Sequence, residues 1–297
     1  LDVNSLYPWT MQDPDCLLPY GAGVWQKGEI KADKFYPIFI QHLSCQFELK
    51  PGKLPTIQIK GNPRFKSTDY LASSHGEIVD LCLTSVDLKL FHYDVYNLEY
   101  HSGWRFKAKG GIFKNYVDYW TKVKIESKAR GDYSHYILAK LMLNSLYGKF
   151  ATNPRANVKR PVLHDDEVKL TFLEKEAKEP VYLPIGMFVT AWARNKTIRA
   201  AQACFSRFLY ADTDSLHLIG LDLPEGLEID PYKLGAWDHE ATFKRAKYLH
   251  SKCYIEDIYA KPTEEGKLKF TNEKTDFTKL KVTVAGLPAY CHDQVTW

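Results

Sequence analysis

The sequence lacks the features that mark several common classes of protein. None of its six cysteines forms a CxxC pair, which argues against a zinc knuckle and against a disulfide framework. We expect these scattered thiols to be buried in a reducing compartment. No apolar run is long enough to cross a bilayer, so no membrane-spanning helix is predicted. Internal repeats are also missing, while the 45% of apolar residues is enough for a packed core.

Positive charge is concentrated in one stretch of the chain. Residues 105–160 contain thirteen Lys/Arg and three Asp/Glu, so this segment carries +10 in a chain whose net charge is +4. The remaining residues therefore carry −6. Such asymmetry favours a polyanionic partner, either DNA or a nucleoside triphosphate. A solvated basic face is the alternative, and the charge alone does not separate the two.

Turn signals and alternating apolar residues predict a β-rich first third. The first dozen residues predict a strand and then a turn that ends at Pro8. Residues 13–110 predict an inserted β-rich region, with a hairpin formed by residues 45–50 and 56–60. The helical period then occupies residues 112–149.

The helical region is interrupted near Gly131, and its second helix, residues 133–147, is predicted to end at Gly148. Beyond it the pattern predicts a second inserted hairpin, one helix, two short strands and a last β-rich part. In order, these are residues 161–163 with 168–172, residues 186–205, residues 207–211 with 215–219, and residues 243–259.

The segment YADTDSLHL places two carboxylates, Asp212 and Asp214, in the turn of the short hairpin. A tight turn exposes both side chains at the strand ends, and hard divalent cations such as Mg²⁺ bind oxygens of this kind. Most such turns are only turn formers, so this motif alone is weak evidence.

The segment LDVNSLYP places Asp2 at the end of a predicted strand. The chain then turns through Asn4 and Ser5, and backbone N–H groups in such a turn can cradle phosphates. Tyr7 would point back toward whatever those amides hold. An ordinary strand end with a core tyrosine explains the same pattern.

The segment KLMLNSLYG carries the most specific pattern. Lys140, Asn144 and Tyr147 are spaced four and three residues apart, so they share one helix face. A cation, an amide and an aromatic ring on one face suit a nucleotide. An amphipathic surface helix with a snorkelling lysine is the alternative. The residues expected to pack inward on the other side are Leu138, Leu141, Met142 and Ser145.

Together, the three segments resemble the motifs DxxSLYP, KxxxNSxYG and YxDTDS of family B DNA polymerases. The resemblance is greater to the protein-primed branch of small tailed phages. Residues 190–194 (TAWAR) resemble its TxxAR motif, and residues 252–254 (KCY) resemble its KxY motif. If residues 252–254 form a strand, Lys252 and Tyr254 point to the same side. The resemblance extends from Leu1 to about Tyr259.

The resemblance implies an α+β fold with an antiparallel palm sheet backed by helices, a helical fingers hairpin and two β-rich insertions. Because little sequence remains after Val284, we expect the thumb of such a fold to be absent or truncated. The implied boundaries are palm 1–12 and 184–297, first insertion 13–111, fingers 112–151, and second insertion 152–183.

The resemblance also implies roles for individual residues. Asp2 and Asp214, with the Val3 carbonyl, would hold two Mg²⁺ ions, or Mn²⁺, and Asp212 would be an auxiliary carboxylate. These ions would activate the primer 3′-hydroxyl and neutralise the leaving pyrophosphate. Tyr7 would exclude ribonucleotides by crowding the 2′-hydroxyl.

The remaining implied contacts are to nucleotide and to DNA. The nucleotide contacts are Ser5, Leu6, Tyr7, Lys140, Asn144, Tyr147 and a second cation, which is Lys124 or, alternatively, Lys128 or Arg130. The DNA contacts are Ser145, Gly148, Thr190, Arg194, Lys252 and Tyr254.

The resemblance implies that the function is DNA-directed DNA synthesis from dNTPs on template-primer DNA. A terminal protein would supply the priming hydroxyl and contact the first insertion, and the second insertion would close around the template. We expect a monomer in the host cytoplasm that contacts no membrane. Two alternatives stay open: a truncated, non-catalytic remnant that binds DNA or terminal protein, and a metal-dependent nuclease.

Proofreading members of this family carry an exonuclease domain, opened by a D-x-E signature, before the first polymerase motif. Here D-x-E occurs only at residues 165–167 and 238–240, and both are predicted to be surface acid clusters. Because the first residue is Leu1 and not Met, we expect a piece of a longer protein or a processed product.

Overall fold

The computed structural model describes residues 1–152, 159–164, 167–172, 181–263, 268–270 and 280–295. Within these ranges the chain is α+β, as predicted, and its sheets are antiparallel. The helices are α1 (Leu6–Gln12), α2 (Lys114–Ala129), α3 (Tyr133–Phe150) and α4 (Leu183–Ala203). The strands are β1 (Asp2–Val3), β2 (Leu18–Lys27), β3 (Ile38–Leu49), β4 (Val79–Thr84), β5 (Tyr93–Lys109), β6 (Lys159–His164), β7 (Glu167–Phe172), β8 (Phe208–Asp212), β9 (Ser215–Leu218), β10 (Trp237–Asp238), β11 (Thr242–His250), β12 (Cys253–Pro262), β13 (Leu268–Phe270) and β14 (Leu280–Val284).

The smallest four-stranded sheet, in the order β10-β1-β9-β8, carries the motif carboxylates. One face packs on α4 through a cluster of buried apolar residues that includes Val3, Leu216 and Trp237. Burial of apolar surface therefore fixes the sheet against the helix. The predicted strands around residues 212–214 are confirmed as β8 and β9.

Helix α4 is the central element of the packing. Ten of its 21 residues are buried, and Phe188 and Val189 are fully enclosed in a second apolar cluster. Pro184 stands in its first turn, where a missing N–H breaks no helical hydrogen bond. Because α4 packs on α1, α3, β2 and the small sheet, it joins the site to the rest of the fold.

The β-rich region after residue 13 is one sheet in the order β2-β5-β3-β4. The predicted hairpin of residues 45–50 and 56–60 is wrong. Strand β3 is paired with β5 along one edge, and its other edge is taken by β4 up to Cys45 and by residues 72–74 beyond it, so residues 56–60 have no free edge to join. They lie instead against the sheet, where Ile57 and Ile59 are buried in its core.

The break between α2 and α3 falls at Gly131, which has a φ of 69°, as the sequence predicts. The predicted end of α3 at Gly148 is wrong, because the helix continues to Phe150. The Phe150 ring packs on Phe113, with centroids 5.3 Å apart, and this packing holds the last turn in place.

The expectation that Leu138 and Leu141 pack inward is also wrong. Both are exposed, and the fully buried positions of α3 are Ala139 and Leu143. The face that carries Lys140 and Asn144 is exposed, as predicted.

The other β elements lie in two groups. Strands β6 and β7 form the predicted second hairpin, while residues 165–166 of its turn lie outside the described ranges. Strand β12 pairs with β11, β13 and β14, so the predicted last β-rich part is confirmed and extended. No helix among the described residues is long and apolar enough to cross a membrane.

Candidate functional site

Two strands bring distant carboxylates to the same end of the small sheet. β1 lies beside β9, with Asp2 opposite Ser215. The N–H of Val3 donates a hydrogen bond to the Asp214 carbonyl at 2.8 Å. The predicted approach of Asp2 to the hairpin turn is therefore built by backbone pairing, and the buried Val3 anchors it.

The turn between β8 and β9 is held in a demanding conformation. Thr213 has a φ of 49°, in the left-handed region that β-branched residues rarely adopt. Thr197 on α4 donates its hydroxyl to the Thr213 carbonyl at 2.7 Å, and Ser215 donates its hydroxyl to the Asp212 carbonyl at 3.1 Å. These bonds fix the direction in which the two aspartates project.

Asp2 and Asp214 are electrostatically strained. Burial, together with the charges of Asp214 and Glu240, raises the pKa of Asp2 to about 7. Burial is also the main cause of the raised pKa of Asp214, with Asp212 adding to it. No hydrogen bond from the described residues reaches the Asp2 carboxylate. Half-buried carboxylates that repel one another suit a divalent cation, and their oxygens are the ligands that Mg²⁺ prefers.

Asp212 has a different environment. Lys252 Nζ lies 3.8 Å from Asp212 Oδ1, and the Thr213 hydroxyl donates to the same oxygen at 3.0 Å. The Tyr210 hydroxyl lies 3.4 Å from Oδ2. Asp212 is thus paired with a cation, whereas no ion pair within the described ranges involves Asp2 or Asp214.

The predicted strand geometry of Lys252 is wrong. Lys252 occupies the turn between β11 and β12, with a φ of 55°, and the strand begins one residue later. Its N–H lies 2.8 Å from the Tyr210 hydroxyl, while Tyr254 packs on Tyr210 at 5.2 Å between ring centroids. The turn between β11 and β12 therefore places Lys252 and Tyr254 beside β8, and the alternation of side chains along a strand does not.

The prediction that Asp238 and Glu240 form a surface acid cluster is also wrong. Pairing of β10 with β1 puts Asp238 directly opposite Asp2. Glu240 lines the same cleft as Asp2 and Asp214, a cavity of about 700 Å³. The spacing along the chain gave no sign of this proximity. The other acid cluster, at residues 165–167, includes positions outside the described residues.

The turn after β1 leads into a helix that the sequence pattern did not predict. Ser5 has a φ of 50°, and α1 begins at Leu6, so Pro8 lies inside the first helical turn and not at the end of a turn. The Tyr7 ring stacks on Tyr147 of α3 with centroids 4.4 Å apart. The LDVNSLYP and KLMLNSLYG motifs are therefore in direct contact.

Helices α2 and α3 bring two lysines together. Burial lowers the pKa of Lys124, and the charges of Lys140 and Lys128 lower it further. Lys124 is half-buried, whereas Lys128, Arg130 and Lys140 are exposed. A pair of lysines that repel each other across two helices is a suitable site for a polyphosphate.

The residues of the TAWAR segment are partly engaged within the protein. Thr190 donates its hydroxyl to the Met187 carbonyl at 2.9 Å. Arg194 donates to Asp87 Oδ1 from Nε at 3.1 Å and from Nη2 at 2.8 Å. Asn144 and Gly148 are exposed on α3, and the half-buried Ser145 donates its hydroxyl to the Met142 carbonyl at 3.3 Å.

A buried polar group beneath the cleft was missed by the sequence analysis. His217 Nδ1 lies 2.8 Å from Glu256 Oε1 and 2.9 Å from the Tyr248 hydroxyl. His217 and Glu256 are both buried, and burial strongly raises the pKa of Tyr248. The acidic pair Glu256 and Asp257, which stands between Ile255 and Ile258 in β12, is the sequence signal that could have indicated it.

Comparison with known proteins gives consistent matches over the whole chain. The model of DNA polymerase type B, organellar and viral, matches residues 1–229. The DNA polymerases of Bacillus phages PZA and phi29 are each 50% identical over 303 residues, covering 100% of this chain and 52% and 51% of those proteins. The DNA polymerase of Streptococcus phage Cp-1 is 40% identical over 269 residues, covering 86% of this chain and 45% of that protein. The chain thus spans about half the length of the curated relatives it matches.

Solved structures give the same result. Phi29 DNA polymerase complexed with primer-template DNA and incoming nucleotide substrates superposes with a TM-score of 0.87 at 48% identity, covering 100% of this chain and 51% of that one. The complex with primer-template DNA alone gives a TM-score of 0.84 at 50% identity, covering 99% and 51%. The fold is that of a nucleic-acid polymerase. The chain belongs to the type B DNA polymerases, in their organellar and viral family.

Proposed function

We propose that this chain performs DNA-directed DNA synthesis by nucleotidyl transfer from a dNTP to a primer 3′-hydroxyl or to a terminal-protein hydroxyl. The observation that carries the proposal is the pair Asp2 and Asp214, which are half-buried, mutually repelling and joined by the β1–β9 pairing. The similarity to phi29 DNA polymerase bound to DNA and nucleotide supports the same conclusion.

Asp2, Asp214 and the Val3 carbonyl would hold two Mg²⁺ ions, with Mn²⁺ as a substitute. When bound, such ions lower the pKa of the attacking hydroxyl and neutralise charge on the leaving pyrophosphate. Asp212 would act as an auxiliary carboxylate. Its ion pair with Lys252 supports a role in positioning that lysine beside the primer terminus.

The incoming nucleotide would lie between α3 and the β1–α1 turn. Lys140 would contact the triphosphate. We assign the second cation to Lys124, because burial lowers its pKa and the nearby charge of Lys140 lowers it further. Phosphoryl transfer depends mainly on positioning and charge neutralisation, which two lysines supply. Backbone groups of Ser5 and Leu6 would contact the phosphates.

The base and sugar would meet the stacked pair Tyr7 and Tyr147, with Asn144 beside them. Their 4.4 Å stacking leaves little freedom for the Tyr7 ring, which supports its use as a steric barrier to a 2′-hydroxyl. Selection against ribonucleotides would then rest on rigidity supplied by Tyr147.

The primer strand would be held through its backbone, without sequence preference. We assign this contact to Lys252, Tyr254, Thr190 and Arg194. Ser145 and Gly148 would contact DNA from the exposed side of α3. Arg194 is only partly used by Asp87, and its half-exposed guanidinium supports a further contact to phosphate.

We further assign residues 1–12 and 184–297 to the palm, 13–111 to the first insertion, 112–151 to the fingers and 152–183 to the second insertion. A terminal protein would bind the first insertion, whose β2 and β5 expose large aromatic side chains typical of interaction surfaces. These side chains are Tyr20, Trp25, Tyr96, Tyr100 and Trp104. The polymerase would act as a monomer in the host cytoplasm.

Primer extension by the full chain, with Mg²⁺, dNTPs and a primer-template, tests the proposal. Asp214→Asn should lower the extension rate at least about a thousandfold, because it withdraws several kcal/mol of charge stabilisation. Asp69→Asn, an exposed aspartate of the first insertion, is the matched control and should extend normally.

Three other outcomes would contradict the proposal. Equal extension by the parent and Asp214→Asn would place the chemistry elsewhere. Shortening of the primer without incorporation would indicate a metal-dependent nuclease. DNA binding by both proteins with no extension by either would identify a non-catalytic remnant.

A further inference from the structure

The sheet β2-β5-β3-β4 places three potential metal ligands together on adjacent strands. His42 lies on β3, Asp80 on β4 and His101 on β5. In the β3–β4 pairing, His42 lies directly opposite Cys82, and Ser44 lies directly opposite Asp80. His42 and Asp80 therefore project from the same face of the sheet, since each lies two residues from a direct partner of the other.

A local irregularity brings His101 to this face. Along β3 and β5, His42 pairs with Ser102 and Leu43 pairs with Tyr100, so His101 is the extra residue of a bulge. Bulges redirect a side chain relative to regular pairing. The two imidazole rings lie with their centroids 4.7 Å apart.

The separations of the ligand atoms fit one ion. His42 Nε2 lies 3.5 Å from Asp80 Oδ1, and His101 Nε2 lies 3.9 Å from the same oxygen. All three ligand atoms lie within 4.8 Å of one another. Around a tetrahedral ion with bonds of about 2.0–2.1 Å, ligand atoms are about 3.3 Å apart. Small rotamer changes would bring the three ligand atoms to this separation, because all three side chains are partly exposed.

The environment of His101 fits a metal ligand in a second respect. Its Nδ1 lies 3.5 Å from Glu99 Oε1, on the side of the ring away from Asp80. A ligating histidine commonly gives its other ring N–H to a carboxylate, which fixes the tautomer and the orientation. The Ser44 hydroxyl, 3.0 Å from His101 Nε2, occupies the hydrogen-bonding position that an ion would take over.

We propose that His42, Asp80 and His101 form a binding site for a divalent transition-metal ion of the zinc type. Two imidazoles and one carboxylate favour such an ion over Mg²⁺ or Ca²⁺, which prefer oxygen ligands alone. Three protein ligands leave a fourth position for water. The ion would join the edge strand β4 to β3 and β5. This site is independent of the proposed polymerase chemistry, whose carboxylates lie on another sheet.

Titration of the full chain with Co²⁺, a spectroscopic substitute for Zn²⁺, tests the site. Millimolar Mg²⁺ is kept present so that Asp2 and Asp214 are occupied. We expect one Co²⁺ per chain with the visible bands of four-coordinate cobalt, and displacement by one Zn²⁺. Asp80→Asn should weaken Co²⁺ binding at least about 100-fold. Because the Asp80 side chain is exposed, the variant should fold like the parent, and circular dichroism checks this.

Two further variants distinguish the residues that bind the ion from the carboxylate that orients His101. Glu99→Gln keeps all three ligands but removes the supporting carboxylate, so it should weaken binding roughly 10- to 100-fold. His75→Asn removes an exposed histidine of the same insertion and keeps a residue that tolerates its φ of 51°, so it should bind normally.

Two results would overturn the proposal. One is the absence of saturable Co²⁺ binding in the parent chain. The other is binding that survives in Asp80→Asn and His101→Ala but is lost in Asp2→Asn, since that pattern would assign the ion to the polymerase carboxylates.

Discussion

Helix α4 and the pair of helices α2 and α3 differ in how much of their surface is buried. Helix α4 buries ten of its 21 residues and touches most neighbouring elements. Helices α2 and α3 have 16 and 18 residues, and each buries only two. One region is a packed support, and the other is an exposed surface whose side chains are available to a ligand.

This difference matches the hydrogen bonds that each region makes. From α4, Thr197 holds the strained turn at Thr213 and Trp192 donates to the Leu17 carbonyl at 3.0 Å. Between α2 and α3, Tyr116 donates its hydroxyl to the Met142 carbonyl at 3.1 Å. Elements with few buried contacts open and move most readily. We therefore expect nucleotide-dependent movement in α2 and α3 and not in α4.

The largest effect that would test this comparison is on stability. Phe188→Ala in α4 should lower the free energy of unfolding by about 3–5 kcal/mol, because it empties a fully buried site. Leu141→Ala, an apolar truncation on the exposed face of α3, should change it by less than about 0.5 kcal/mol. Urea denaturation of both variants is the measurement. If both substitutions lowered the free energy of unfolding by similar amounts, α3 would have to be packed in solution as α4 is.

A smaller effect should appear in nucleotide use. Lys140→Ala should raise the KM for dNTP roughly 10- to 100-fold in primer extension while leaving the melting temperature nearly unchanged, because its side chain is exposed. Lys149→Ala, another exposed lysine of α3, is the matched control and should remain close to the parent. A loss of stability in Lys140→Ala would assign the residue to the support instead.

The smallest effect concerns the small sheet that packs on α4. The pKa of Asp2 is raised from 3.8 to about 7, so the folded state favours the protonated carboxyl. Stability that depends on this proton is present below pH 4 and is lost as the pH rises through 7. Asp2→Asn should therefore stabilise the metal-free chain at pH 8 by about 1 kcal/mol, after allowance for solvent screening.

Melting curves in EDTA at pH 4 and pH 8 measure this effect. The stability difference between Asp2→Asn and the parent should be present at pH 8 and close to zero at pH 4. Added Mg²⁺ should narrow the difference at pH 8 by stabilising the parent. A difference of equal size at both pH values would mean that charge is not its cause.

Local patterns predicted the elements that depend on neighbours along the chain. The period of 3.6 residues identified α2, α3 and α4, and the turn residues identified β8 and β9. The same patterns failed where distant residues decide. The pattern of residues 56–60 predicts a strand, but β5 on one side and β4 with residues 72–74 on the other occupy both edges of β3. Gly148 read as a helix end until Phe150 found its packing partner.

The candidate site divides in the same way. The motif carboxylates and the Lys140 face were visible from spacing. The approach of Glu240 to Asp2, the buried pair His217 and Glu256, and the cluster around His101 were not, because each joins segments far apart in sequence. Only the assembled sheets bring them together.

Thr213 also sets a limit on engineering. A glycine there would remove the steric cost of its left-handed backbone, and many stability screens would select it. The freed backbone would no longer aim Asp212 and Asp214 along fixed directions. Variants of this chain selected only for heat resistance should therefore accumulate changes at Thr213 that loosen the placement of the two aspartates, unless DNA synthesis is selected at the same time.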